Sequence, residues 1–236
     1  MDLITDVPLL LEKSDEMIRS RSEDPEHCRT LLTSCQKIVN WQQWCKLGSA
    51  SPLYWAVPTR AQNPSDDGFA TQLFPFALEY ECLHVAMLFV FSSAVMLQLL
   101  SAALMLHQQR DGLPEDNISQ QSSPHALDET HLEAQENTYF MSQFVGPETW
   151  SLSQIRSEAD RTARFLCQST EYCFRRDMGT VGTQAMCHPQ YILRSYFRQV
   201  GLVRELDWWR NIKNMKGPDL SRGIEMMMFG NEEHVF

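Results

Sequence analysis

Cys28, Leu31, Leu32, Cys35, Ile38, Val39 and Cys45 step along the chain by threes and fours, with Gln42 in the one gap. That spacing marks one face of an α-helix. Trp41 and Trp44 widen the stripe. Asp24-Pro25 predicts its start, an Asp N-cap before a proline at the first helical position. Gly48 predicts its stop. Residues 7–18 predict a shorter helix ahead of it. Over residues 48–76, Pro52, Pro58, Pro64 and Gly68 recur among turn formers, which predicts a loop.

Residues 85–106 carry no charge at all, and Gln98 is their only strongly polar side chain beside Ser92, Ser93 and Ser101. Twenty-two such residues suit either a bilayer span or a helix buried on all sides of a helical core. No Lys/Arg cluster flanks the stretch to orient it in a membrane. Further on, Ser151 to Gln154 has the form of a capping box, and Ile155, Ala159, Ala163, Leu166, Thr170 and Cys173 follow at helical steps. Gly179 and Gly182 are expected to end that helix. Pro189 is expected to open another, carrying Ile192, Leu193, Tyr196 and Val200 and closed by Gly201. A last helix holds Leu202, Leu206, Trp209 and Ile212 and stops near Gly217-Pro218. Sustained period-two alternation, Asn-Gly or Asp-Gly hairpins and internal repeats are all lacking. The expected class is all-α: an irregular multi-helix single domain over residues 1–236, with one long, fully buried apolar helix and a disordered acidic loop.

Charge places that loop. The chain has 236 residues, 20 Lys+Arg against 30 Asp+Glu and a net charge of −10. Residues 107–137 hold one Arg and seven acids, while residues 151–236 hold twelve basic and ten acidic side chains. Residues 108–137 are therefore expected to be a flexible acidic linker, too polar to bury enough surface to offset ordering. So acidic a chain is a poor nucleic-acid binder by itself, because binding phosphates requires positive charge. Its first residues lack the basic start of a secretory signal, so the seven cysteines are read as reduced thiols.

Motifs for phosphate loops, zinc proteases, serine hydrolases and kinases are missing, and no C-x-x-C supplies paired zinc ligands. Cys28 and Cys35, seven apart, share one helix side and read as small buried hydrophobes. His27-Cys28, Cys82 with His84, and Cys187-His188 are neighbours that could form a thiolate–imidazole pair. Glu79 and Glu81 read as a solvated helix start, and Arg175-Arg176 as a solvated helix end or an anion contact. No catalytic residue, cofactor or metal ligand is assigned. Trp208, Trp209, Met226, Met227, Met228 and Phe229 are the candidate partner-binding residues, aromatic and soft apolar side chains suited to a partner helix.

The order of motifs adds to this. Leu9-Leu10-Leu11-Glu12-Lys13-Ser14-Asp15 is followed by the helix with Trp41 and Trp44, then Pro52-Leu53-Tyr54-Trp55-Ala56-Val57-Pro58. Asn63-Pro64-Ser65-Asp66-Asp67 and Phe74-Pro75-Phe76 lead into the apolar helix. Ala163-Arg164-Phe165-Leu166-Cys167-Gln168-Ser169-Thr170-Glu171-Tyr172-Cys173 comes later, and Arg204-Glu205-Leu206-Asp207-Trp208 near the end. This order resembles the C-terminal half of fungal-specific transcription factors of the zinc-cluster family, from about Leu9 to Trp209. The resemblance implies an all-helical regulatory domain whose long apolar helix lies inside it. The family's basic six-cysteine DNA-binding cluster has no counterpart here, so no DNA-contacting or zinc-binding residue carries over. The resemblance therefore implies a non-enzymatic regulator that works through a protein partner such as a full-length zinc-cluster relative, with a nuclear location and a role in fungal secondary-metabolite gene clusters. A single-span membrane protein using residues 85–106, and a small helical enzyme using Cys82, His84, Cys187 or His188, are the alternatives.

Overall fold

In the computed structural model, residues 5–22, 24–111 and 150–220 are described. Beyond Asp111 the expected acidic linker lies outside them, and so do Met226, Met227, Met228 and Phe229. The elements are α1 (Val7–Ser20), α2 (Pro25–Leu47), β1 (Tyr54–Pro58), β2 (Phe76–Tyr80), α3 (Leu83–Asp111), α4 (Leu152–Cys173), α5 (Gly179–Val200) and α6 (Val203–Arg210), with short 3₁₀ turns between some of them. The class is all-α with a small two-stranded ribbon.

Helix starts follow from local chemistry. The Asp24 carboxylate accepts from the His27 backbone N–H at the start of α2, and Ser151 with Gln154 completes a capping box at the start of α4, each satisfying donors the helix leaves orphaned. Gly201 closes α5 in the left-handed region, at φ 70°, where glycine meets no Cβ penalty.

The centre is α3. It is long and apolar enough to cross a membrane, yet α1, α2, α4 and α5 all pack against it. Leu97, Leu99, Leu100 and Ala103 are wholly buried. Its polar side chains find partners inside the core: Gln42 reaches Ser92 and Ser93 from α2, at 2.8 and 3.2 Å, and Ser101 donates to the Leu97 carbonyl. Burial is not complete on every side. Leu88 is 54% and Phe91 36% exposed, so the fully buried helix of the sequence reading is corrected to a helix with one open stripe.

Three further expectations change. Within the expected loop, β1 pairs antiparallel with β2 from Tyr54↔Tyr80 to Pro58↔Phe76. The two strands are five residues each and 17 residues apart, so no hairpin turn advertises them. Gly182 and Pro189 lie inside α5, and Gly179 begins it. Apolar positions run through both, from Ala185 and Met186 to Ile192, Leu193, Tyr196 and Phe197. Gly182 serves close approach: a Cβ there would lie 2.2 Å from the Cys173 carbonyl oxygen. Glu79 stands in β2, which ends before α3 begins at Leu83.

Candidate functional site

Four of the motifs that carry the resemblance, Asn63 to Asp67, Phe74 to Phe76, Ala163 to Cys173 and Arg204 to Trp208, meet at one junction. Glu171, near the end of α4, accepts from Thr59 Oγ1 at 2.5 Å, from the Arg60 N–H at 3.1 Å and from the Ala61 N–H at 3.2 Å. The carboxylate thus ties the chain leaving β1 onto α4 by charge-assisted bonds. One helical turn back, Cys167 is buried. Arg164 sets its guanidinium 5.7 Å from the Phe74 ring centre. Ser169 shares a 2.7 Å bond with the buried Tyr80 hydroxyl of β2, and Tyr80 and Tyr172 pack at 5.1 Å. Each of these α4 residues holds the ribbon or the chain after it.

The Asn63 to Asp66 segment meets α6 in the same way. Asn63 donates to the Trp208 carbonyl at 2.9 Å while its own oxygen caps Ser65. Asp66 accepts from the Leu73 N–H and pairs with Arg204 at 3.8 Å. Arg204 also donates to the Thr71 carbonyl and stacks 4.1 Å over Phe69. The cleft between these segments, lined by Thr59, Phe74, Cys167, Glu171, Trp208 and Met215, has room for about one water molecule.

Trp208 and Trp209 are both only 4% exposed. Trp208 packs edge-on to Phe74 at 4.7 Å, and the Trp209 indole N–H donates to the Gln190 carbonyl at 2.8 Å. Both indoles belong to the core. Arg175 turns inward to Glu79 at 2.7 Å and over Tyr172. Burial alone would lower its guanidinium, but the Glu79 carboxylate holds it above the ordinary arginine value. Arg176 donates to the Leu220 carbonyl. Glu79 and Arg175 are thus an internal pair, correcting the two solvated termini expected of them.

None of the cysteines forms a disulfide. Burial pushes Cys173 up to about 12 and raises Cys35 and Cys167 well beyond the ordinary thiol range, the opposite of what a nucleophile or metal ligand needs. Cys187 is also raised by burial, and its Sγ lies 3.6 Å from the Thr183 carbonyl. Among the described residues no three His, Cys, Asp or Glu side chains gather as a metal site requires.

Sequence reasoning missed one buried pair. Ser14 of α1 and His27 of α2 meet at 2.8 Å, and the Ser14 hydroxyl donates to the Leu10 carbonyl at 2.8 Å. Its proton is therefore engaged, so the His27 ring donates to Ser14 and is not placed to act as its base. Burial, with Lys13 nearby, lowers the His27 pKa. Only Ser14 in the leucine-rich opening motif hinted at this contact.

Comparison of the chain with protein-family models, with curated proteins and with solved structures finds no match.

Proposed function

We propose that the chain is a helical regulatory protein that acts on fungal transcription through a protein partner, possessing no DNA-reading module in the sequence given. The resemblance to the zinc-cluster regulatory domain supplies the class. One observation supports it most: four of the separated motifs behind the resemblance interlock at a single junction, with Glu171 on residues 59–61, Asn63 on Trp208 and Phe74 against Trp208. They behave as the framework of one helical scaffold, which is what a shared regulatory fold requires. A scaffold of this kind contributes a surface, and its chemistry is recognition.

The test is to express the tagged chain in a fungal host, separate soluble from carbonate-resistant membrane material and identify what co-purifies from the soluble fraction. The reading expects soluble chain with a zinc-cluster transcription factor bound, and altered transcription of that factor's targets when the chain is deleted. Recovery in the membrane pellet alone, with α3 spanning the bilayer, would overturn it.

A further inference from the structure

Residues 215–220 lie as a strap across the junction. Met215 packs against the core and lines the small cleft beside Thr59, Cys167 and Trp208. Lys216 then exchanges two main-chain bonds with Gln62. The Gln62 N–H donates to the Lys216 carbonyl at 2.7 Å, and the Lys216 N–H donates back to the Gln62 carbonyl at 2.9 Å. Gly217-Pro218-Asp219-Leu220 forms a turn, with the Leu220 N–H 3.5 Å from the Gly217 carbonyl. Proline at the second turn position presets this bend. The Arg176 N–H donates to the Asp219 carbonyl at 2.9 Å, and Arg176 Nε donates to the Leu220 carbonyl at 3.1 Å. Leu220 is 7% exposed, whereas Lys216, Pro218 and Asp219 are open to solvent.

The receiving side is held by other contacts. Glu171 fixes residues 59–61 to α4, and Gln62 follows directly. Glu79 and Tyr172 lock Arg175 just past the end of α4, and Arg176 follows it. If the strap left, the Gln62 N–H and carbonyl and the Arg176 N–H and guanidinium would lose these partners, and the apolar seat of Leu220 would open. Gln62 and Arg176 are themselves exposed, so another segment can reach the same atoms from solvent.

The strap is also a template for what fits there. Main-chain pairing accepts many sequences, and side-chain seats give specificity. Leu220 is the buried anchor. A Cβ on Gly217 would stand 3.2 Å from the Leu220 side chain and 3.4 Å from Ala61 Cα, so a glycine makes this close pass. Asp219 faces Arg60 at 3.9 Å, an exposed pair that adds little energy but favours an acid at that position.

We propose that the strap is the resident occupant of a peptide-binding cleft, displaced when a partner protein presents a turned segment of the form apolar-x-Gly-Pro-Asp-Leu. A tethered occupant competes at an effective concentration on the order of millimolar, so the parent chain takes a free peptide only weakly. The inference deepens the regulatory reading and rests on it for the partner's role, while its physical test is independent. The probe is a capped peptide copying residues 214–220. It is titrated into the isotope-labelled full-length chain while the Gln62 and Arg176 amide signals are followed by NMR. Two full-length variants free the cleft in different ways: Leu220→Ser removes the anchor, and Gly217→Val crowds Ala61. Each is first checked for a cooperative thermal melt. Both are expected to bind the peptide at least tenfold more tightly than the parent chain does, with both amide signals returning toward their parent positions. The peptide carrying Gly217→Val should bind at least tenfold more weakly. Equal binding by parent and variants, no binding by a variant that melts cooperatively, or shifts that spare Gln62 and Arg176 would overturn the inference. So would a concentration-dependent dimer of the parent chain that Leu220→Ser dissolves, which would make a second copy the occupant. Peptide binding without any transcription-factor partner in the fungal extract would leave the cleft standing and remove the regulatory reading.

Discussion

The junction of β1, α4 and α6 and the open stripe on α3 are opposites in one small molecule. At the junction nearly every distinctive side chain is occupied internally: Glu171 on three donors, Asn63 on Trp208, Arg204 on Asp66, Phe69 and Thr71. Along the stripe Leu88 and Phe91 stand exposed. The difference shows that the motifs at the junction mark how this chain folds, whereas its open apolar positions on α3 fall where no motif flags them. Closed polar networks tolerate little change, while exposed apolar positions away from them tolerate much.

That contrast can be broken at several points. The largest effect is expected at Gly182→Ala. The added methyl meets the Cys173 carbonyl oxygen at 2.2 Å and Met178 Cβ at 2.7 Å, so α4 and α5 must separate. A loss of about 3 kcal/mol or more, read by urea unfolding, is expected for overpacking backbone against backbone. Asn63→Ala comes next. It removes the bond to the buried Trp208 carbonyl and the cap on Ser65, for a loss of about 1–2 kcal/mol.

The smallest effect is a pH dependence at the α1–α2 contact. His27 titrates below its ordinary value of 6.5 in the folded chain, so the unfolded chain binds the extra proton first. Its contribution to stability is therefore whole above about pH 6.5 and falls as pH drops through that value toward the lower folded pKa. His27→Gln should flatten that part of the stability–pH curve relative to the parent chain, and an unchanged slope would contradict the assignment.

Much of the helical framework was legible in the sequence. Periodicity and caps located α2 and α4 closely because each has its own start signal and a continuous apolar face, as at Asp24-Pro25 and at Ser151 with Gln154, while α1 and α3 were found from their apolar positions alone. The ribbon was hidden because its strands are short and joined by residues 59–75, whose turn formers outweigh two five-residue strands. The start of α5 was misread because glycine and proline usually punctuate helices. Here Gly182 is demanded by close packing, and Pro189 lies within a stripe of buried residues that sustains the helix. The inward positions of Trp208 and Trp209 follow from tertiary contacts with Phe74 and Gln190, which no local pattern encodes. The open stripe could not be read: an all-apolar α3 has no amphipathic signal, and the packing of α1, α2, α4 and α5 decides which of its positions stay exposed.

The account's central claim is that the junction residues hold the fold while the open stripe on α3 is free of that duty. Side-by-side urea unfolding of Glu171→Ala and Leu88→Glu tests it most directly. Glu171→Ala strands the Thr59, Arg60 and Ala61 donors and is expected to lose about 2–3 kcal/mol, while Leu88→Glu stays within about 0.5 kcal/mol of the parent chain. A Glu171→Ala chain as stable as the parent, or a Leu88→Glu chain that loses as much, would contradict it.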